Sequence, residues 1–207
     1  MSDMLASTGA ADGVPSFRML FPSGWTRHNL TVDDERELLD AMRAKIRRLA
    51  RPDLEFQLTA AVKSSFRELR AKDGIAIYLP TSTDESALVP MSITASRIAD
   101  PAGGSLDGHV ADLFRQHGAE FLGEDHAIVR WRRSFARIAG VEGAADEQVN
   151  YLVPVPGASR RAALLLSTSI LLDPQEPMEE SQLQELIGLS DAIVGTFAWS
   201  ARGAQAR

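Results

Sequence analysis

The chain contains no cysteine, and this absence excludes several kinds of chemistry together. Disulfides, thiolate nucleophiles, thiolate zinc sites and lipid attachment through cysteine all need a sulfhydryl group. Long apolar runs are also absent, because the longest, from Ala162 to Leu172, is far shorter than the ~20 residues that span a bilayer. The N-terminus has no basic region followed by an apolar run, which a secretion signal would show. These features predict a cytoplasmic protein with no membrane insertion.

Positive charge is missing from one long segment. Between Ala162 and Ala201 there is no lysine or arginine, and the rest of the chain is balanced, with 22 basic residues and 22 acidic ones (28 minus 6). This segment therefore carries the whole net charge of −6. A chain without a basic excess is not typical of a nucleic-acid-binding protein, so we predict no nucleic-acid partner. The six acidic residues of the segment are Asp173, Glu176, Glu179, Glu180, Glu185 and Asp191.

The sequence also lacks the short motifs of catalysis and metal binding. No two of its four histidines have the spacing of a zinc-binding pair, and no G-x-S-x-G elbow or phosphate-binding loop is present. The pair Glu124 and Asp125 has the residue type for acid–base chemistry, but such a pair in a turn is more typical of a solvated loop. We therefore predict no catalytic, cofactor-binding or metal-binding residue and no cofactor. The histidines are His28, His109, His117 and His126.

Two amphipathic helices are predicted in the first half of the chain. Thr31 followed by Asp34 is a capping pattern, and apolar residues then recur at helical spacing from Leu38 to Leu49. Pro52 ends this helix and begins a second one, which continues to Gly74. Acidic residues at the start and basic residues at the end of the first helix complement its dipole. The short connection predicts a helical hairpin.

Strands and two further helices fill the rest of the chain. Alternating apolar residues predict a strand, a turn and a second strand between Ser16 and about Leu30, and five more strands between Ile75 and Leu172. The clearest alternation has Val149, Tyr151 and Val153 on one side. A short helix is predicted before Gly118, and a long helix from about Pro177 to Trp199.

This order of elements predicts the fold class and the extent of the domain. Strands joined in hairpins indicate an antiparallel sheet, since parallel pairs need a helix between successive strands. The prediction is an α+β protein, a three-layer sandwich of about seven antiparallel strands with the helical hairpin and the long C-terminal helix on its faces. Residues 1–15 are predicted to be a disordered leader, residues 16–199 a single domain, and residues 200–207 a flexible tail.

Two segments carry a resemblance to a known fold group. F-P-S-G-W (Phe21 to Trp25) and D-A-I-V-G-T-F-A-W (Asp191 to Trp199), with the order of elements, resemble the PsbP-like fold group over about residues 17–199. The group includes photosystem PsbP proteins, Ran-binding Mog-type proteins and LpqN-type lipoproteins of actinobacteria. The chain departs from the LpqN type by lacking a signal and a lipobox cysteine, and its helical hairpin is longer than expected. The group shares no catalytic apparatus, so the resemblance implies a non-enzymatic binding or accessory role.

The segment I-V-R-W-R-R-S-F-A-R is the most distinctive part of the sequence. In a strand, Arg130 and Arg132 share one face and Trp131 lies on the other. One interpretation is a binding surface for an acidic protein, formed by these arginines with the exposed tryptophan and the acidic helix residues Glu185 and Asp191. The alternative is a solvent-exposed face of the sheet whose arginines form salt bridges within the protein, for example with the acidic terminal helix.

Three functions follow from these patterns. The first is a non-enzymatic protein-interaction or accessory module that binds a protein partner or a second copy of itself. The second is a carrier of a small ligand, with an apolar pocket between sheet and helix lined by Trp25, Phe66, Trp131 and Tyr151. The third is a hydrolase with an unrecognised site.

Overall fold

The computed structural model of the chain describes residues 2–6, 13–49, 52–81, 89–135, 145–172 and 177–200. It contains four helices and ten strands within these ranges. The helices are α1 (Val32–Leu49), α2 (Pro52–Ala71), α3 (Asp107–His117) and α4 (Glu180–Gly195). The strands are β1 (Ser2–Ala6), β2 (Phe17–Pro22), β3 (Trp25–Asn29), β4 (Gly74–Pro80), β5 (Met91–Ala99), β6 (Glu120–Leu122), β7 (Ile128–Phe135), β8 (Ala145–Pro154), β9 (Ala162–Leu172) and β10 (Ala198–Trp199).

Seven strands form one antiparallel sheet in the order β3-β4-β5-β9-β8-β7-β6. Each pair of neighbours is antiparallel. Because side chains alternate between faces along a strand, Tyr78, Ile93, Val149 and Tyr151 point to one face of the sheet. We call this the first face. The residues at the alternate positions of these strands, which include Trp131 and Leu152, point to the opposite side of the sheet. We call this the second face.

The first face is covered by a small sheet and by α4. The small sheet has the order β1-β2-β10, and the inward side chains of β2 join the main hydrophobic core. Phe21 stacks on Tyr78 of the large sheet with ring centroids 4.8 Å apart. Helix α4 adds buried apolar residues to the same core, and the Thr196 hydroxyl after its end accepts a hydrogen bond from the Leu20 amide. The buried residues of α4 in this core are Ile187, Ile193 and Val194.

The second face is covered by α3 at one end and by the α1–α2 hairpin at the β3–β4 end. Leu106 and Leu113 pack against Trp131, Leu152 and Ala163 beneath α3. At the other end, Arg70 of α2 donates hydrogen bonds to the carbonyl oxygens of Leu30 and Thr31, and its guanidinium lies 2.7 Å from Glu35. These contacts tie α2 to the junction between β3 and α1.

Gly74 is required where α2 meets β4. A Cβ atom at this position would lie 2.6 Å from the carbonyl oxygen of Leu69, which is closer than real Cβ contacts come. The absence of a side chain therefore allows the last turn of α2 to approach the sheet closely.

The main architectural predictions are confirmed. The chain is an α+β protein with a seven-stranded antiparallel sheet, a helical hairpin and a C-terminal helix. The predicted capping residues act as proposed, because the Asp34 amide donates to the Thr31 hydroxyl and the Asp34 carboxylate accepts from the Asn29 amide. The expected alternation of Val149, Tyr151 and Val153 is also present, and all three are buried in the main core.

Three details differ from the sequence prediction. Strand β2 pairs with β1 and β10 and so lies outside the large sheet, whose seventh strand is β6. The leader predicted over residues 1–15 is corrected for Ser2–Ala6, which pair with β2, and for Val14, which is buried in the core. The C-terminal helix ends at Gly195, and Ala198–Trp199 form β10. Of the tail predicted over residues 200–207, Ser200 is described and its amide donates a hydrogen bond to the Ser16 carbonyl oxygen, and the other residues lie outside the described ranges.

We predict that Phe21→Ala destabilises the protein much more than Leu20→Ala. Phe21 is fully buried between Tyr78 and Trp25, so its truncation leaves a cavity and should cost ~3–5 kcal/mol. Leu20, the next residue along β2, points outward and should cost less than ~1 kcal/mol. Urea denaturation of both variants measures the difference. Equal losses would contradict the placement of β2 on the first face.

Candidate interaction surface

Arg130 of β7 forms two ion pairs on the first face of the sheet. Its Nε lies 2.7 Å from Oδ1 of Asp191 on α4, and its Nη1 lies 2.5 Å from Oε1 of Glu120 on β6. The guanidinium is largely buried, with 13% of the side chain exposed. Burial alone would lower the pKa of Arg130, but the hydrogen bond and the charge of Asp191 outweigh it and raise the pKa above its usual value. The interpretation that the arginines pair internally is therefore confirmed for Arg130.

Tyr151 of β8 extends this network towards α4. Its hydroxyl donates to Oδ1 of Asp191 at 2.8 Å and lies 2.7 Å from the Ser190 hydroxyl. The Ser190 hydroxyl in turn lies 2.6 Å from that of Thr168 on β9. Burial raises the pKa of the Tyr151 hydroxyl well above its usual range, so the group stays protonated and acts as a donor. The network joins α4 to the sheet through polar contacts.

Arg132, the second arginine of this face, contacts a buried carboxylate. Its Nε donates to Oε1 of Glu147 at 2.9 Å, and the Ser134 hydroxyl donates to the other carboxylate oxygen at 2.5 Å. Arg132 itself remains partly exposed, whereas the Glu147 side chain is almost fully buried. This pairing satisfies a carboxylate that would otherwise be costly to bury.

The five residues predicted to form an interaction surface do not lie together on one surface. Trp131 points to the second face and is buried beneath α3, which is the face opposite to Arg130 and Arg132. Glu185 is an exposed residue on α4. Asp191 is already paired with Arg130. The predicted surface is therefore revised: Arg130 and Asp191 hold the fold together, and Trp131 belongs to the core.

The four residues predicted to line a pocket are also apart. Trp25 lines an open groove of about 410 Å³ that lies between the β2–β3 turn, the end of β4 and Leu189 of α4. Tyr151 belongs to the hydrogen-bond network described above, and Trp131 lies beneath α3. Phe66 is buried in α2, which packs at the β3–β4 end of the sheet. Of the four, Trp25 is the one that borders this groove.

A different part of the second face carries exposed aromatic residues. Phe114 of α3 and Phe121 of β6 are in contact, with ring centroids 5.1 Å apart, and they are 37% and 42% exposed. The His126 ring stacks on Phe121 at 4.7 Å with an interplanar angle of 4°. We call these three residues the aromatic patch. Exposed apolar surface of this kind is typical of a contact site for another molecule.

Beside the aromatic patch lies a pocket of about 190 Å³ between α3 and the sheet. We call it the ring pocket. Nine of its twelve lining residues are apolar, and the other three are Asp107, His126 and Arg160. These three are exposed and so lie at its mouth. The inner walls are formed by Leu106 and Val110 on the α3 side, by Val129, Leu152 and Ala163 of the sheet, and by Phe121.

The backbone at the mouth of the ring pocket adopts an unfavourable conformation. His126, Ser159 and Arg160 have φ values of 52°, 49° and 60°, in the left-handed region that non-glycine residues rarely occupy. His126 and Arg160 line the pocket, and Ser159 precedes Arg160. Each such residue costs ~1–2 kcal/mol. Strained residues of this kind tend to gather at functional sites.

No chemistry-bearing constellation is found in the part of the chain that the structure describes. There, no serine hydroxyl is hydrogen-bonded to a histidine, and no group of three or more histidine, aspartate or glutamate residues could hold a metal ion. No helix within the same ranges is long and apolar enough to cross a membrane. The cytoplasmic location stays a prediction.

Sequence reasoning did not identify the aromatic patch or the ring pocket. Phe121 lies in a strand of three residues flanked by Gly118 and Gly123, which is too short for alternation to be recognised. Phe114 follows Leu113 in the short helix predicted before Gly118, where apolar residues are expected to face the core. The one signal available was the occurrence of Phe114, Phe121 and His126 close together in a chain that is poor in aromatic residues.

Two solved structures match nearly the whole chain. One is a point mutant of the protein Mog1, with 12% sequence identity, a TM-score of 0.42, and coverage of 98% of this chain and 97% of that one. The other is the Ran-binding protein Mog1p of Saccharomyces cerevisiae, with 10% identity, a TM-score of 0.46, and coverage of 96% and 95%. No family model and no curated protein matches the sequence. With sequence identities of 12% and 10% and TM-scores of 0.42 and 0.46, the structural similarity supports no conclusion about partners or function.

We predict that Tyr151→Phe destabilises the protein and that Tyr78→Phe does not. Loss of the Tyr151 hydroxyl removes its hydrogen bonds to Asp191 and Ser190, of which the first is to a charged group, and this should cost ~1–3 kcal/mol even though Arg130 and Thr168 remain as partners. Tyr78 is a matched control, since its buried hydroxyl lies near Arg27 but makes no hydrogen bond of normal geometry. Thermal and urea unfolding of both variants measure the effect. Equal stability of the two variants would show that the network does not hold α4.

Proposed function

We propose that the protein is a non-enzymatic protein-interaction module whose contact surface is the aromatic patch. The observation that supports this most directly is the exposed contact between Phe114 and Phe121. Aromatic residues supply most of the binding energy in many protein interfaces, because they bury a large area with few rotatable bonds. The exposed part of the pair lowers solubility, which is expected of a surface kept for a partner.

The surroundings of the patch resemble the rim of a protein interface. Two ion pairs lie beside it: Arg115 with Asp112 on α3, and Arg160 with Asp107 at the mouth of the ring pocket. An apolar centre with a polar rim is the usual anatomy of such interfaces. The pairs leave no excess of positive charge, and Glu124 and Asp125 nearby are acidic. A phosphate backbone would need the opposite balance, so the partner we propose is a protein.

The position of β6 adds a geometric argument. It is the last strand of the large sheet, so among the residues that the structure describes no strand pairs with one side of its backbone. A segment of a partner lying along this edge would contact Phe121 on the second face. The partner we propose is therefore a protein that presents an extended apolar segment.

We predict that Phe114→Ser combined with Phe121→Ser abolishes partner capture without unfolding the protein. The side chains are 37% and 42% exposed, so the loss of their remaining apolar contacts should cost ~1–2 kcal/mol each, and circular dichroism checks that the double variant is folded. Removing two interface aromatics should weaken binding at least ~10-fold. The assay compares proteins cross-linked to the immobilised chain and its variants, with quantitative mass spectrometry.

The control for this assay is Leu171→Ser, which removes an equally exposed apolar side chain at the far end of β9. Proteins lost with the double variant and retained with the control support the proposal. A captured set that is the same for wild type and both variants would refute it. Sedimentation velocity on the same proteins shows whether the partner is a second copy of the chain.

A second candidate function is supported by the groove at Trp25. Its volume of about 410 Å³ lies within the range of small-molecule sites, ~300–1,000 Å³. It lies between sheet and helix, and five of its seven lining residues are apolar or proline. The alternative proposal is a carrier of an apolar compound at this groove.

The carrier proposal predicts that 1-anilinonaphthalene-8-sulfonate, an apolar dye, binds the native protein at one site. Leu189→Trp, which fills the groove, should abolish this binding. Gln184→Trp, an exposed position on the same helix, should not. Fluorescence titration measures stoichiometry and affinity. An absence of one-to-one binding, or equal binding by both variants, would reject the carrier role at this groove.

A further inference from the structure

We infer that the ring pocket receives one apolar aromatic side chain, a phenylalanine, from the protein that docks on the aromatic patch. The inference rests on the proposed function and names the anchor residue of the partner. The ring pocket opens beside the patch, and Phe121 belongs to both. A segment that covers Phe114 and Phe121 therefore passes the mouth of the pocket and can place one side chain inside.

The volume of the pocket matches the size of a single aromatic ring. A cavity of ~150 Å³ with apolar walls holds one benzene molecule, whereas sites for cofactor-sized compounds begin at ~300 Å³. At about 190 Å³ the ring pocket fits a six-membered ring with its methylene group and is smaller than the sites of cofactor-sized compounds. Phe121 also offers an aromatic wall, against which a ring packs more favourably than an aliphatic chain does.

The distribution of polar groups favours phenylalanine over tyrosine. The polar lining residues, Asp107, His126 and Arg160, are exposed at the mouth. The deepest walls are the buried side chains of Val129, Leu152 and Ala163, which offer no hydrogen bond. A tyrosine hydroxyl inserted to this depth would lose its water without gaining a partner. The mouth groups instead lie where the main chain of a partner segment would pass, and they can hydrogen-bond to its amides.

The backbone at the mouth shows how the opening is shaped. Ser159 and Arg160 are the central residues of the β8–β9 turn, which is closed by a hydrogen bond from the Arg161 amide to the Ala158 carbonyl oxygen, and positive φ at both positions is ordinary for such a hairpin turn. His126 adopts a positive φ outside any strand or helix and borders the same pocket. The turn and His126 therefore set the position of two edges of the opening.

The experiment titrates the native protein with N-acetyl-phenylalaninamide and follows the methyl NMR signals of Val110, Val129 and Leu152. We expect saturable shifts of these signals with a dissociation constant on the order of 1 mM, which is typical of so small a ligand. N-acetyl-tyrosinamide should bind at least ~5-fold more weakly, because its hydroxyl is buried without a partner. N-acetyl-leucinamide should also bind more weakly.

Matched variants show whether the shifts come from the ring pocket. Ala127→Trp places an indole at the mouth and should weaken binding at least ~10-fold. Ala192→Trp makes the same change at an exposed position on α4 and should leave it within twofold. Titration with toluene distinguishes a pocket for a partner's side chain from a pocket for a free aromatic compound. If toluene binds and N-acetyl-phenylalaninamide does not, the pocket takes a free compound and the inference is wrong.

Three other outcomes would overturn the inference: no saturable shift with any probe, equal binding of the tyrosine or leucine amide, or equal binding by Ala127→Trp. This result is separable from that of the proposed function. Phe114 belongs to the patch and does not line the pocket, so capture by Phe114→Ser reports on the patch alone. If Ala127→Trp still captures the partner protein but no longer binds N-acetyl-phenylalaninamide, the inferred phenylalanine anchor is wrong and the proposed interaction module remains.

Discussion

The contact of Asp191 with Arg130 and Tyr151 determines how α4 sits on the sheet. The apolar residues of α4 would bury themselves in many orientations, because the hydrophobic effect has no direction. Hydrogen bonds do have direction, and Asp191 accepts two of them from different strands while Ser190 next to it reaches Thr168 on a third. Separating these groups would leave a partly buried guanidinium without its partner, which costs more than the pair contributes when intact. The network therefore works mainly by making other placements of the helix unfavourable.

This use of charge is the reason we do not propose the arginine strand as the binding surface. Arg130 has both of its ion-pair partners inside the protein, and Arg132 serves the buried Glu147. Charges already held in hydrogen bonds must be released before they can bind another molecule, and this release offsets most of the gain. The contact surface that we propose lies at the other face, where α3 covers the sheet only in part. Phe121 stays partly exposed because β6 is the last strand of the described sheet, and α3 contacts its ring through Phe114 without covering it.

The sequence predicts the large elements well because their signals are long. The stripes of α1 and α2 and the alternation in β8 extend over many residues, so that local pattern and final packing agree. The short strands are different. Whether Glu120–Leu122 or Ala198–Trp199 pair with anything depends on which distant strand is adjacent, and this is decided by the whole fold. The same holds for β2, whose alternation is correct but does not reveal which of two sheets it joins.

The functional residues are the hardest to predict from sequence, since a pocket is defined by what is small or missing. The ring pocket exists in part because Ala163 lies where a larger side chain would fill the space beneath α3. An alanine in a strand has no pattern that distinguishes an empty space from a tightly packed one. The backbone at the mouth is equally hidden, because Ser159 and Arg160 are not residue types that announce a positive φ. Since the left-handed conformation costs free energy in the free protein, the packing of two loops must offset it. A side chain that fills the opening would add to that packing, so the empty protein and the occupied one should differ in stability most strongly at these two loops.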